Sequence, residues 1–226
     1  MKIAKDVNSK YESRKVLVVE DDPLLRSLIA DGLKGSNFSV SVAASAAEAK
    51  RVIIDLDPDV ALLDIELGSG PSGLDLAAYI ATSSPHIAIV FLTHLPDPRF
   101  AGQDASSIPK RAAYIRKETI TQPGVLTDII ERVLRDDIDH GLRHHLDPER
   151  PLADLSKSQI SVLRSIALGM SNAEIAEQRD STIRAVEHLI RRTLTAAGIE
   201  GDPTVSTRTS AARAYIEAAG LPIVNE

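Results

Sequence analysis

The chain's 226 residues predict an α/β fold, a doubly wound five-stranded parallel sheet, followed by a small all-α unit. Three observations carry this. Short continuous apolar runs at residues 16–19, 60–63, 87–92 and 112–115 read as strands buried on both faces, as in parallel sheets covered by helices. Amphipathic helical patterns lie between the runs, so that strand and helix alternate. From Leu155 onward only helical patterns remain.

The elements follow in order. Residues 1–13 are polar and read as a tail. After the first strand, Asp22 caps a helix with Pro23 at its first position; Leu24, Leu25, Leu28, Ile29 and Leu33 form its apolar face. Residues 38–42 alternate as a strand. Ser45 caps the next helix, to about Leu56, with Glu48 placed for a capping box. Ser72 starts another, through Ala81. Residues 96–111 hold three prolines and little periodicity, so the fourth helix is expected to be short or irregular, although strand and helix are read as alternating five times. The last helix of this part carries Val125, Leu126, Ile129, Ile130, Val133 and Leu134. Residues 138–153 read as a linker between a domain at 14–137 and another at 154–222. In the charged stretch 136–151, His140 and His144 form an i,i+4 pair beside His145; a solvated helix face is preferred to a metal site because no further ligand is near in sequence.

Every strand of a parallel sheet ends on the same edge, where ligands bind. That edge should gather Glu20, Asp21, Asp22, Asp64, Thr93 and Lys117, each at or just past the end of an apolar run. Clustered carboxylates stay ionised together when a cation holds them. Glu20, Asp21 and Asp64 offer hard oxygens suited to Mg²⁺. Asp64 is the candidate acceptor of a phosphoryl group, Lys117 would pair with a phosphoryl oxygen, and Thr93 would donate a hydrogen bond to another.

These stretches resemble a CheY-like receiver domain of response regulators: Val16-Leu17-Val18-Val19-Glu20-Asp21-Asp22-Pro23, Ala61-Leu62-Leu63-Asp64, Phe91-Leu92-Thr93 and Tyr114-Ile115-Arg116-Lys117. The resemblance implies phosphorylation of Asp64 by a histidine kinase. It also implies Glu20 and Asp21 as the acidic metal pair, with the main-chain carbonyl of Glu66 as a further ligand, and Thr93 with Tyr114 as a switch pair whose ring turns inward. Two departures stand out. His94 follows Thr93 where the family has a small residue, and Glu66 adds a carboxylate two residues after Asp64; both are expected to alter phosphate lifetime.

The C-terminal part reads as short helices capped by Ser156 and Ser171, then a third helix carrying Ile183, Val186, Ile190 and Leu194 to near Gly198. Two short helices joined by a tight turn match a helix-turn-helix, whose second helix enters the major groove. The segment resembles the LuxR/NarL-type helix-turn-helix of double-stranded DNA-binding regulators. The match is most specific over Gly169-Met170-Ser171-Asn172-Ala173-Glu174-Ile175-Ala176. The resemblance makes Glu174 a scaffold residue and a fourth helix, about 205–219, a homodimer surface. Arg184, His188, Arg191 and Arg192 share one helix face and are the candidate DNA readers. Glu187 stands where the family usually has lysine. From Pro151 onward eight Lys and Arg face nine Asp and Glu, a balance of −1, so non-specific DNA affinity should be weak and dimerisation more necessary.

Composition sets bounds. The net charge of −6 argues against a general polyanion binder, so any nucleic-acid contact needs a local patch. The absence of cysteine removes disulfide and thiol chemistry and fits a reducing cytoplasm. No long apolar stretch opens the chain, so neither a signal peptide nor a membrane span is expected. The main expectation is a transcription regulator in which phosphorylation of Asp64 favours a dimer or releases the helix-turn-helix, and which is no enzyme beyond its own phosphorylation and dephosphorylation. Three alternatives stay open: a phosphorylation-independent regulator, a metal-dependent phosphohydrolase using Asp64, and a C-terminal unit that binds protein instead of DNA.

Overall fold

The computed structural model describes residues 13–36, 38–199 and 206–222. The tail expected over 1–13 therefore lies almost wholly outside the described residues.

Five parallel strands, β1 (Lys15–Val19), β2 (Ser39–Ala43), β3 (Val60–Leu63), β4 (Ala88–Thr93) and β5 (Ala112–Arg116), form one sheet in the order β2-β1-β3-β4-β5. The strand order reverses between β1 and β3, which pair with Val19 opposite Leu63. A crevice opens there beyond the carboxyl ends of the strands. Val16, Val18, Leu62 and Val90 fill one face of the sheet, against helices α1 (Pro23–Lys34) and α4 (Pro123–Leu134). Leu17, Val19, Leu63 and Phe91 fill the other, against α2 (Ala46–Leu56) and α3 (Gly73–Ser83). Both faces are buried, which is why the strand sequences are continuously apolar.

Local chemistry fixes the helix starts. The Asp22 carboxylate accepts from the Leu25 N–H, and Ser72 and Asp75 form a full capping box. Ser45 accepts from the Glu48 N–H, but the expected reciprocal box is not made. The Glu48 carboxylate reaches one residue further and accepts from the Ala44 N–H at 2.7 Å, satisfying the orphan donor before the cap.

The fivefold alternation is not kept. Between β4 and β5 the described residues hold no α-helix. Two 3₁₀ turns, Pro98–Ala101 and Ala105–Ser107, take its place, consistent with the prolines and weak periodicity of this stretch.

Residues after α4, read as a linker, are folded against the sheet. Two more 3₁₀ turns, His140–Leu142 and His144–Leu146, lie along β5, where Arg143 bridges Tyr114 in parallel. Leu142 and His145 are buried. The stretch thus covers the open edge of the sheet. His140 and His144 sit in separate turns, so the i,i+4 pair on a helix does not form. The solvation expected for these histidines holds at His140, which is exposed, but not at the other two, since the His144 ring accepts from the Arg116 N–H at 3.1 Å and His145 is inside.

The C-terminal unit consists of α5 (Lys157–Ala167), α6 (Asn172–Gln178), α7 (Ile183–Ala196) and α8 (Thr207–Ala219). Ser156 with Gln159, and Ser171 with Glu174, form capping boxes. Gly169, at φ +82°, lets the Met170 and Gly169 N–H groups return to the Ser165 and Ile166 carbonyls, closing α5. The core on the α2/α3 side of the sheet runs without a break through Phe100 and Leu155 into Ile160, Ile175 and Tyr215. None of the helices formed by the described residues is long and apolar enough to cross a membrane.

Candidate functional site: an acid pocket and a helix-turn-helix

The crevice at the strand reversal gathers the carboxylates. Glu20 and Asp21 follow β1 and Asp64 follows β3; one oxygen from each lies within 4.8 Å of the others. Glu20 and Asp64 are buried, and Asp21 faces solvent. The Lys117 ammonium, just past β5, bridges the two buried acids, 2.7 Å from Asp64 Oδ2 and 2.8 Å from Glu20 Oε2. Burial, then the neighbouring Asp64 charge, pushes Glu20 up to about 7. Burial pulls Lys117 down, but the Asp64 and Glu20 carboxylates outweigh it and hold the ammonium above its ordinary value. One cation therefore faces three carboxylates, and the donor set of hard oxygens fits a divalent metal ion as the second.

Two supports were not legible from residue type. Arg26, in the first turns of α1, donates to the carbonyls of Glu20 at 2.6 Å and Asp21 at 3.1 Å, fixing the backbone that presents both acids. Its place one turn after Asp22 was the available signal. Gly73 lies so close to β3 that a Cβ there would stand 1.9 Å from the Asp64 carbonyl oxygen. The Glu66 N–H lies 3.4 Å from Asp64 Oδ1. Its side chain lines a cavity of about 320 Å³ shared with Arg99 and Ser161, and burial followed by the Asp64 charge pushes it up to about 7.

Thr93 and Tyr114, the expected switch pair, meet at a residue the sequence did not single out. Thr93 is fully buried and its hydroxyl accepts from the Leu95 N–H at 3.3 Å. The Tyr114 hydroxyl donates to the Leu95 carbonyl at 2.9 Å. The Tyr114 ring is already inward, tilted against Phe91 at 6.0 Å and His145 at 4.9 Å between centroids. Burial, then the Asp97 charge, holds its hydroxyl well above the ordinary phenol value. His94 is exposed and faces Glu118 at 3.3 Å.

In the helical unit, Thr182 caps α7 by accepting from the Ala185 N–H. Val186, Thr193 and Leu194 turn inward, while Arg184, His188, Arg191 and Arg192 stay exposed with Glu187 among them. Glu174 is used by the α6 capping box, accepting from the Ser171 N–H at 2.6 Å.

Residues 16–107 match the response regulator receiver domain. The nitrate/nitrite response regulator protein homolog of Haemophilus influenzae is 32% identical over 192 residues, covering 79% of this chain and 89% of that protein. The oxygen regulatory protein NreC of Staphylococcus aureus is 24% identical over 202 residues, 84% of this chain and 93% of that protein. A solved structure of two RcsB dimers bound to two parallel DNAs aligns over 91% of this chain and 98% of its own, with TM-score 0.55 and 18% identity. An RcsB–DNA complex aligns over the same shares with TM-score 0.53 and 18% identity. At that identity the two structures bear on the fold.

Proposed function

The chain belongs to the response regulators of the NarL/LuxR type, and from that premise we propose that it is a transcription regulator switched by phosphorylation of Asp64. The observation that carries this is the acid pocket, in which three carboxylate oxygens lie within 4.8 Å of one another and Lys117 spans the two buried ones.

An Asp64 oxygen attacks the phosphorus of a phosphohistidine on a sensor kinase. The new O–P bond forms as the N–P bond breaks, and the imidazole nitrogen leaves with the electron pair. The Lys117 ammonium, held against Asp64, pairs with a phosphoryl oxygen as the carboxylate loses its charge. Glu20, Asp21, Asp64 and the Glu66 carbonyl would hold Mg²⁺, which supplies positive charge to neutralise the transferring group. Thr93 exchanges its Leu95 contact for a phosphoryl oxygen. Water later cleaves the acyl phosphate, so the chemistry is self-modification. His94 and Glu66, both near the pocket, set how fast that happens.

The output is DNA binding as a homodimer through α7, with Arg184, His188, Arg191 and Arg192 at the base edges and phosphates. Their exposure on one face supports this, as do the DNA complexes named for the structural neighbours. The cytoplasm, where kinase and DNA meet, is the compartment this function needs.

The test is labelling with acetyl phosphate, then a gel shift on the chain's own promoter region. The wild type should take up one phosphoryl group and bind more tightly when it has done so. Labelling of Asp64→Ala at the wild-type level would refute the acceptor. Affinity unchanged by the modification would refute the switch.

A further inference from the structure

The three acids of the pocket are not held alike. Glu20 and Asp64 are buried, and Lys117 bridges them. Asp21 faces solvent, and among the described residues no hydrogen bond or ion pair reaches its carboxylate. On one side the loop after β3 closes in, since a Cβ on Gly68 would stand 3.3 Å from Asp21 Oδ2. Gly68 has φ +67°, so the loop passes there on left-handed backbone that suits glycine. The direction of the Asp21 carboxylate is therefore left to its own backbone.

One side chain grips that backbone on both sides of the residue. Arg26 Nη1 donates to the Glu20 carbonyl at 2.6 Å and to the Asp21 carbonyl at 3.1 Å. Those carbonyls belong to the two peptide planes that flank the Asp21 Cα, so a single nitrogen restrains both φ and ψ of Asp21. The bonds do nothing for the start of α1. A helix start leaves N–H groups without partners, and the Leu25 N–H already has the Asp22 carboxylate at 2.8 Å. Glu20 and Asp21 lie before the helix and present carbonyls, which water would otherwise satisfy. The half-buried Arg26 side chain thus turns back from α1 to the acids.

We propose that Arg26 is a positioning residue that sets the divalent-metal affinity of the pocket by orienting Asp21 through its backbone. This rests on the reading of the acid pocket as a metal site. Two effects of Arg26 on a metal ion have opposite signs. As a positive charge beside the backbone of two acids, it repels a cation. As a donor that fixes where the Asp21 carboxylate points, it favours one. The hydrogen bonds decide, because a carboxylate with no partner of its own would otherwise have to be ordered by the metal at the moment of binding. Groups that orient metal ligands without touching the ion are typically worth about 10–100-fold in affinity. The Glu20 N–H stays tied to the Ala43 carbonyl at 3.1 Å whatever happens at Arg26, so the low end of that range is expected.

Calorimetric titration of the full chain with Mg²⁺ alone, without phosphodonor, tests it, with urea denaturation in chelator to show that each variant is folded. Arg26→Met keeps the stem and removes the donors; it should bind Mg²⁺ about tenfold more weakly than the wild type. Arg26→Lys keeps the charge and can donate to the same carbonyls with poorer geometry. It should fall between the two, about threefold weaker than the wild type. Unchanged affinity in Arg26→Met would overturn the inference, and tighter binding would make Arg26 a mere repelling charge. A lysine variant as tight as the wild type, or as weak as the methionine variant, would also overturn it, which keeps the test decisive if Arg26→Met does not fold. A wild type that takes up no Mg²⁺ would overturn the metal reading of the pocket and this inference with it, an outcome distinct from a wild type that binds and variants that bind equally well.

Discussion

Lys117→Met removes the ammonium while keeping an unbranched stem, and the pocket geometry sets the size of the effect. The charge lies 2.7 Å from Asp64 and 2.8 Å from Glu20, with side-chain exposures of 9%, 8% and 4% for the lysine, aspartate and glutamate. At an effective dielectric near 20, each contact amounts to about 6 kcal/mol of attraction. Desolvation of the three groups opposes most of that, and breaking a buried pair from one side costs about 3–5 kcal/mol. The loss depends on pH. Glu20 is pushed up to about 7 from its model-peptide value of 4.5. A carboxyl raised on folding contributes stability below its unfolded value and loses it as pH rises through its folded value. Removing the lysine raises Glu20 further, so the variant should suffer less at pH 5.5 than at pH 8. Urea denaturation at both pH values, with and without Mg²⁺ at constant ionic strength, measures this. A ligand at about 100 times its Kd adds about 2.7 kcal/mol. The variant lacks the competing ammonium and should gain more from Mg²⁺ than the wild type does. A smaller or equal gain in the variant, or a metal-free loss below about 1 kcal/mol, would refute a pocket in which lysine and metal share the same carboxylates.

Gly73→Ala should cost at least about 1–3 kcal/mol by overpacking, because its Cβ would meet the Asp64 carbonyl oxygen. Acyl-phosphate yield should fall further than the folded fraction, whereas Gly124→Ala, with open space around it, should change neither. His145 is 5% exposed, and burial, then Arg143, holds its imidazole down to about 4. Arg150 and His144 act in the same direction and Asp97 against it. A histidine lowered on folding contributes stability above its unfolded value of about 6.5 and loses it as pH falls towards 4. Denaturation should therefore show about 2 kcal/mol lost from this residue between pH 7 and pH 5, and His145→Phe should lack that loss. Arg191→Ala should weaken DNA binding and, if it contacts phosphate, lower the salt slope by about 1 in gel shifts at graded salt. An unchanged affinity would remove Arg191 from the interface.

The acid pocket was legible because topology does the long-range work. Once residues 16–19 and 60–63 are read as parallel strands, Glu20 and Asp64 must share an edge, whatever the loops between them do. The helix starts were legible because a cap is a contact within four residues, as at Asp22, Ser72, Ser156 and Ser171. The Asp97–Arg150 ion pair, which ties the turn after β4 to the stretch connecting the two units, spans 53 residues and obeys neither rule. Nothing in local pattern separates Arg150 from Arg143 or Arg135, and only the docked position of the connecting stretch selects it. The helix read through the histidines failed for a related reason. Helical spacing was assumed for His140 and His144, but residues beyond α4 serve the exposed edge of β5, and edge covering has no period of its own.

That edge explains why the connecting stretch is folded at all. A terminal parallel strand leaves backbone donors unpaired, and the Arg116 N–H finds its partner in the His144 ring. The Tyr114 ring, fully buried, owes part of its cover to His145. The edge donor and the Tyr114 ring are therefore covered by adjacent residues of one stretch, which cannot bare one without the other.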